Sequence, residues 1–156
     1  VADAADVDVA AFDETLAINV RGTLLCIKHA VPRMRARGGG SIVNMSSTAA
    51  RLPTPGLSVY GASKAGVEAF TRAIAVEAAP HVRVNAVSAG PTLTEAVEAL
   101  MASDRTGAVD TVTRSLPLQR LAQPAEIAEA VVFLASSRAS FVTGQVLHAN
   151  GGGFMA

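Results

Sequence analysis

Three short apolar runs, each bordered by glycine and separated by helical stretches, constrain the fold of this chain more than any other feature. Ser41-Ile42-Val43-Asn44-Met45 follows Gly38-Gly39-Gly40, and Val82-Arg83-Val84-Asn85-Ala86-Val87 stops at Gly90-Pro91. Gln145-Val146-Leu147-His148 precedes Gly151-Gly152-Gly153. Short runs of this kind, rich in β-branched residues and closed by turn residues, read as buried strands. Between them, Ser58 to Glu77 is Ala-rich and ends before Pro80, while Pro124 with Glu126 behind it opens a helix through Leu134. Strands alternating with helices demand right-handed parallel crossovers, hence a layered α/β fold.

Upstream, residues 1–10 are small and acidic and read as a loop. From there the apolar residues Phe12, Leu16, Val20, Leu24, Ile27, Val31 and Met34 recur at steps of three and four, the stripe of an amphipathic helix. Pro32 is expected to kink or weaken its last turn, and the triple glycine stops it. Residues 93–116 read as short helices in a long connection. There is no repeat and no linker, so residues 1–156 read as one domain or part of one.

Composition narrows the function. Thirteen basic and thirteen acidic side chains cancel, so no long-range field favours nucleic acid or an anionic membrane. No apolar run approaches the ~18 residues that span a bilayer, and the acidic, Ala-rich start is unlike a signal peptide. One cysteine, Cys26, leaves no internal disulfide and suits the cytoplasm. It is expected to pack rather than react. His29, His81 and His148 are scattered, without metal-ligand spacing, so no metal is expected.

The chemistry concentrates at Tyr60-Gly61-Ala62-Ser63-Lys64. Positions i and i+4 share a helix face, so phenol and ammonium can converge. A phenol with a pKa near ~10 is a poor acid or base at neutral pH, and a neighbouring cation favours the phenolate and brings it toward working range. Taken alone, the pair reads more readily as a solvated Tyr and Lys that happen to share one face. Ser47, just after the first predicted strand, changes the weighing, because ligands of open α/β sheets sit at strand C-terminal ends. Ser46 or Ser47 could instead cap a turn. Asn19, a polar residue inside an apolar stripe, is either functional or a satisfied core amide.

In this order, Asn19-Val20-x-Gly22, Ser41 through Ser47, Tyr60-x-x-x-Lys64, Arg83-Val84-Asn85-Ala86-Val87, and Thr143-Gly144-Gln145-Val146-Leu147 through Gly151-Gly152 resemble the short-chain dehydrogenase/reductases from about Phe12 onward. The resemblance implies a Rossmann-like, doubly wound parallel sheet and hydride transfer with NAD or NADP on a secondary alcohol or ketone. It implies Tyr60 as general acid/base and Lys64 tuning it while binding the nicotinamide ribose. Ser47 would orient the substrate oxygen, and Asn19 would hold a water in a relay to Lys64. Gly90, Thr92 and Thr94 would lie beside the nicotinamide. A homodimer or homotetramer is implied, built on the helices at 12–34 and 58–77, the second presenting Gly61, Ala62, Ala65, Gly66, Ala69 and Ala73. Two departures stand out. Ala89 replaces the family's usual Pro before Gly90, which should loosen that turn, and Asn150 replaces a common Asp.

The family's Thr-Gly-x-x-x-Gly-x-Gly phosphate loop has no counterpart here. Gly38-Gly39-Gly40 precedes a strand, and Gly151-Gly152-Gly153 has no helix behind it, so neither can cradle a pyrophosphate. The expectation is a C-terminal portion of such an enzyme, carrying the last three strands and preceded elsewhere by the dinucleotide-binding half. An alternative stays open: a non-catalytic remnant retaining at most helix-mediated self-association.

Overall fold

The computed structural model describes residues 2–155, so Val1 lies outside the described residues. The leader is less of a loop than expected. After a short 3-10 turn at Ala4–Asp6, helix α1 (Val9–Leu16) starts ahead of Phe12, because the Asp8 carboxylate accepts the Ala10 N–H at 3.1 Å and caps it. The helix then passes through a π-helical turn, Ala17–Arg21, into α2 (Gly22–Ala36). Pro32 cannot donate to the carbonyl four residues back, yet α2 continues a further turn past it. The N–H groups of Gly38 and Gly39 close the end on Arg35 and Met34.

The three predicted strands form one parallel sheet in the order β1 (Gly40–Ser47), β2 (Val82–Ala89) and β3 (Val146–Ala149). Helix α3 (Ser58–Ala78) makes the crossover from β1 to β2. Helices α4 (Glu95–Ser103), α5 (Ala108–Ser115) and α6 (Pro124–Ala135) lie between β2 and β3. The connection at 93–116 is therefore helical, as expected.

Period-two alternation sorts the side chains between two cores. Val82 and Val84 pack with Ile27, Ile74, Ala75 and Ala78 beneath α2 and α3. Val87 faces the other way, against Ile127 and Leu134 of α6 and Ala139. Helices on both faces of a parallel sheet give the doubly wound α/β arrangement expected. Each fully buried Val or Leu contributes about 1.5–3 kcal/mol. Two polar residues in β2 hold the α6 layer. Arg83 donates to the carbonyls of Leu134, Ser136 and Val142 at the end of α6 and beyond it. Asn85 donates to Val142 and accepts from the Gln145 N–H.

Two expectations need correction. Cys26 does not pack; it is exposed on α2. The stripe on α1 and α2 is only partly covered, with Ile27 buried, Val31 and Met34 packed beside it, and Phe12 and Leu24 exposed. No helix among the described residues is long and apolar enough to cross a membrane.

The register ends Ser47, Ala89 and Ala149 in one row at the C-terminal edge of the sheet. That row forms the floor of the candidate site.

Candidate active site

Ser47 and Tyr60 reach the same cleft from different elements. A cavity of about 940 Å³ opens over the C-terminal edge of the sheet, lined among others by Ser47, Tyr60, Gly90, Thr92 and Thr94. Ser47 is the last residue of β1, where its Oγ accepts the Ala49 N–H at 3.3 Å and starts a 3-10 turn at Thr48–Ala50. It therefore caps a turn and lines the cleft at once. Ser46 points to the opposite face, donating to the Glu68 carboxylate at 3.1 Å.

Tyr60 stands in the first turn of α3 and is 37% exposed. What lets α3 start so close to the β1 exit is Gly61. A Cβ there would lie 2.6 Å from the Ala49 carbonyl oxygen, a backbone atom. Gly61 is thus spent inside the subunit rather than on an interface, whereas Ala62, Ala69 and Ala73 remain exposed.

Lys64, one turn on, brings its Nζ to 5.7 Å from the Tyr60 ring centroid, within range of attraction between a cation and an aromatic face. The ammonium donates to the Met45 carbonyl at 3.1 Å, and burial pushes its pKa below the ordinary lysine value. The pair predicted from i, i+4 spacing does converge.

Asn19 lies in the π-helical turn, a distortion that recurs at functional sites. Its Nδ2 donates to Ser63 Oγ at 3.0 Å, and Ser63 in turn donates to the Tyr60 carbonyl at 2.7 Å. Asn19 and Lys64 also line a common hollow beside β1, together with Asn44, Met45 and Thr23.

Ala89, where the family usually has Pro, ends β2 paired with Ser47 and Ala149, and backbone bonds hold the segment after it. The Gly90 N–H donates to the Ala149 carbonyl at 3.0 Å, and Pro91 and Leu93 bond the backbone of Ala122. Gly90 has no room for a side chain, since a Cβ would lie 2.6 Å from Asn150 Cα. Thr92 Oγ donates to the Gly90 carbonyl, and Thr94 caps α4 through the Val97 N–H. Asn150 has a readable role as well. Its amide donates to the Phe154 carbonyl and accepts from the Gly152 N–H, shaping the final turn.

Sequence reasoning missed Ser63, Glu68 and Arg51. Ser63 and Glu68 have fully buried side chains on α3, Ser63 toward the π-helical turn and Glu68 toward β1. Glu68 also takes Arg51 Nε at 2.7 Å, tying the loop after Ser47 to α3. The available signal was a carboxylate one turn past Lys64 on the same helix face. No group of three or more metal-ligating side chains occurs among the described residues.

A family model described as enoyl-(acyl carrier protein) reductase matches residues 1–153. The chain belongs to the short-chain dehydrogenase/reductases. Among members of this family, it is 45% identical over 148 residues to a cis-4-hydroxycyclohexanecarboxylate dehydrogenase of Sinomonas cyclohexanicum, covering 94% of this chain and 58% of that protein. A solved short-chain dehydrogenase/reductase superposes with a TM-score of 0.87 at 49% identity, over 97% of this chain and 61% of its own. ElxO with NADP bound superposes with a TM-score of 0.92 at 30% identity, over 98% and 62%. The chain thus spans well under two thirds of the length of these short-chain dehydrogenase/reductases.

Proposed function

We propose that the protein carrying this chain interconverts a secondary alcohol and a ketone with NAD or NADP, using Tyr60 as general acid/base. One observation carries the reading: Ser47, Tyr60 and the Gly90–Thr94 segment line one cleft, with the Lys64 ammonium set beside the phenol. The donor set fits the nicotinamide end of a dinucleotide. Tyr60 and Lys64 would hold the ribose, and Gly90, Thr92 and Thr94 would flank the ring and its carboxamide. An NADP-bound relative of the same fold supports this cofactor class.

When bound, the nicotinamide supplies or accepts the hydride. This chain's residues handle the oxygen and its proton. In the reducing direction Ser47 Oγ donates to the substrate carbonyl, and Tyr60 transfers its hydroxyl proton to that oxygen as the carbon is reduced. The phenolate left behind is stabilised by the Lys64 ammonium. Its proton is replaced through the hollow shared by Lys64 and Asn19, where the amide oxygen of Asn19 can hold a water. Oxidation runs the same proton path backward.

Tyr60→Phe keeps the ring and removes the proton. Turnover should fall on the order of a hundred- to ten-thousand-fold, with circular dichroism and melting temperature unchanged. Near-normal kcat on an accepted substrate would rule out this mechanism.

A further inference from the structure

We infer that the substrate of this cleft is an uncharged, largely apolar ketone or secondary alcohol, and that the walls built by this chain select against carboxylate- and phosphate-bearing substrates. The inference rests on the reaction proposed above and adds the substrate class to it.

No residue lining the cavity carries a charge. Among the basic side chains of the segments around it, Arg105 is exposed and does not line the cavity, and the others are paired elsewhere. Arg51 bonds Glu68 at 2.7 Å, Arg114 pairs with Asp110 at 2.9 Å, and Arg120 makes two bonds to Glu126 at 2.6 and 2.7 Å. Lys64 turns its ammonium to the Met45 carbonyl and lines the hollow beside β1 instead.

Three of the wall hydroxyls are spent as donors too. Thr54, Thr92 and Ser115 donate to the carbonyls of Leu52, Gly90 and Val112, while Ser47 and Thr94 accept backbone N–H groups. Apart from the hydroxyls of Ser47, Thr48, Tyr60 and Thr94, the lining is mostly hydrocarbon, with Leu52, Leu57, Val97, Val112, Leu116 and Ile127 in it. An anion entering such a site loses its hydration and gains no cationic partner, only a few neutral hydroxyls, whereas an alkyl chain or saturated ring gains from the apolar area it covers. A volume of about 940 Å³ accommodates a medium-sized ring or chain as well as the reacting end of a cofactor. The substrate named for the Sinomonas relative is a carboxylate, so the inference separates the two proteins.

The experiment compares kcat/KM of the whole protein, with NADH and NADPH, on matched pairs: methylcyclohexanone against oxocyclohexanecarboxylate, and octanone against oxooctanoate. The neutral member should win by about a hundredfold or more. Equal or better use of the carboxylates overturns the inference and leaves the reaction standing. Ligand-observed NMR on the same compounds, which needs no turnover, separates the two failures. Binding of the neutral ketones alone, with no turnover of any ketone, sinks the proposed reaction and keeps the substrate class. Absence of binding by the neutral ketones overturns the class. Val97→Arg, which places a cation in the wall, should shift the preference toward carboxylate by about tenfold or more. No shift in either Val97→Arg or Leu52→Arg counts against the inference.

Discussion

Ser63 touches neither cleft nor substrate, yet its hydroxyl joins Asn19 to the backbone of Tyr60. It is fully buried, so its loss leaves the Asn19 amide without its partner. Ser63→Ala should cost about 1–2 kcal/mol, read as a lowered melting temperature. It should also reduce kcat more than it raises KM, because the misplaced group is the proton donor. An unchanged melting temperature would show that the link contributes nothing. Sequence patterning cannot reveal such a residue. A serine on a helix face reads as solvent or cap, and only the packing of α3 against the π-helical turn gives it two partners. Glu68 is a similar case: a charged residue is expected outside, and this one is buried because Arg51 and Ser46 reach it.

At the scale of elements, α6 shows how a start signal becomes an electrostatic device. Gln123 and Glu126 form a capping box, and Arg120 makes a forked pair with the same Glu126 carboxylate. The Arg120 bond first, then the Gln123 N–H, hold the carboxylate at a pKa of about 2, well below the ordinary value of ~4.3. A depressed carboxylate contributes stability above its ordinary pKa and loses it as pH falls through the folded value. The urea midpoint should therefore drop between about pH 5 and about pH 2. Asp104, held near 2 mainly by the Val109 N–H and then by Thr106, contributes in the same window. Glu126→Gln should flatten part of the slope, and Asp104→Asn a further part. An undiminished slope in the double variant would exclude both groups as its source. The Pro124 and Glu126 signal was legible because capping is local. Its partner Arg120 was not, because the pairing depends on how the preceding turn folds back.

At the scale of the whole molecule, the sheet has open edges at β1 and β3, and apolar side chains stand on the outer helices. Ile18 is 65% exposed and Val76 80%. Apolar surface of this kind is covered by a partner or promotes association. We expect the full-length protein to be a homo-oligomer through α1–α2 and α3, with Val76→Glu weakening it. A monomer at micromolar concentration by light scattering would refute that. Cofactor holding gives a second expectation. Among the described residues no strand, Gly-rich turn and helix follow in the order that brings backbone N–H groups to a pyrophosphate. The 156-residue chain by itself should then bind NADH and NADPH no better than roughly millimolar, about 4 kcal/mol. Calorimetric titration giving a low-micromolar constant would reveal a second cradle.

The sequence by itself determined what depends on neighbours along the chain. Strand runs closed by glycine, the Ala-rich helix before Pro80, the parallel crossovers and the convergence of Tyr60 with Lys64 all follow from periods of two and 3.6. The tertiary structure alone decided which polar groups meet across elements. It brought Asn19 to Ser63, Arg83 to the α6 carbonyls and Arg51 to Glu68, and left the cleft without a charged wall. The physical reason is that buried polar groups must be paired, and the partner that satisfies each is fixed by packing geometry rather than by sequence spacing. Cys26 shows the same limit from outside: a helical period marks a face, but only the molecule decides whether anything covers it.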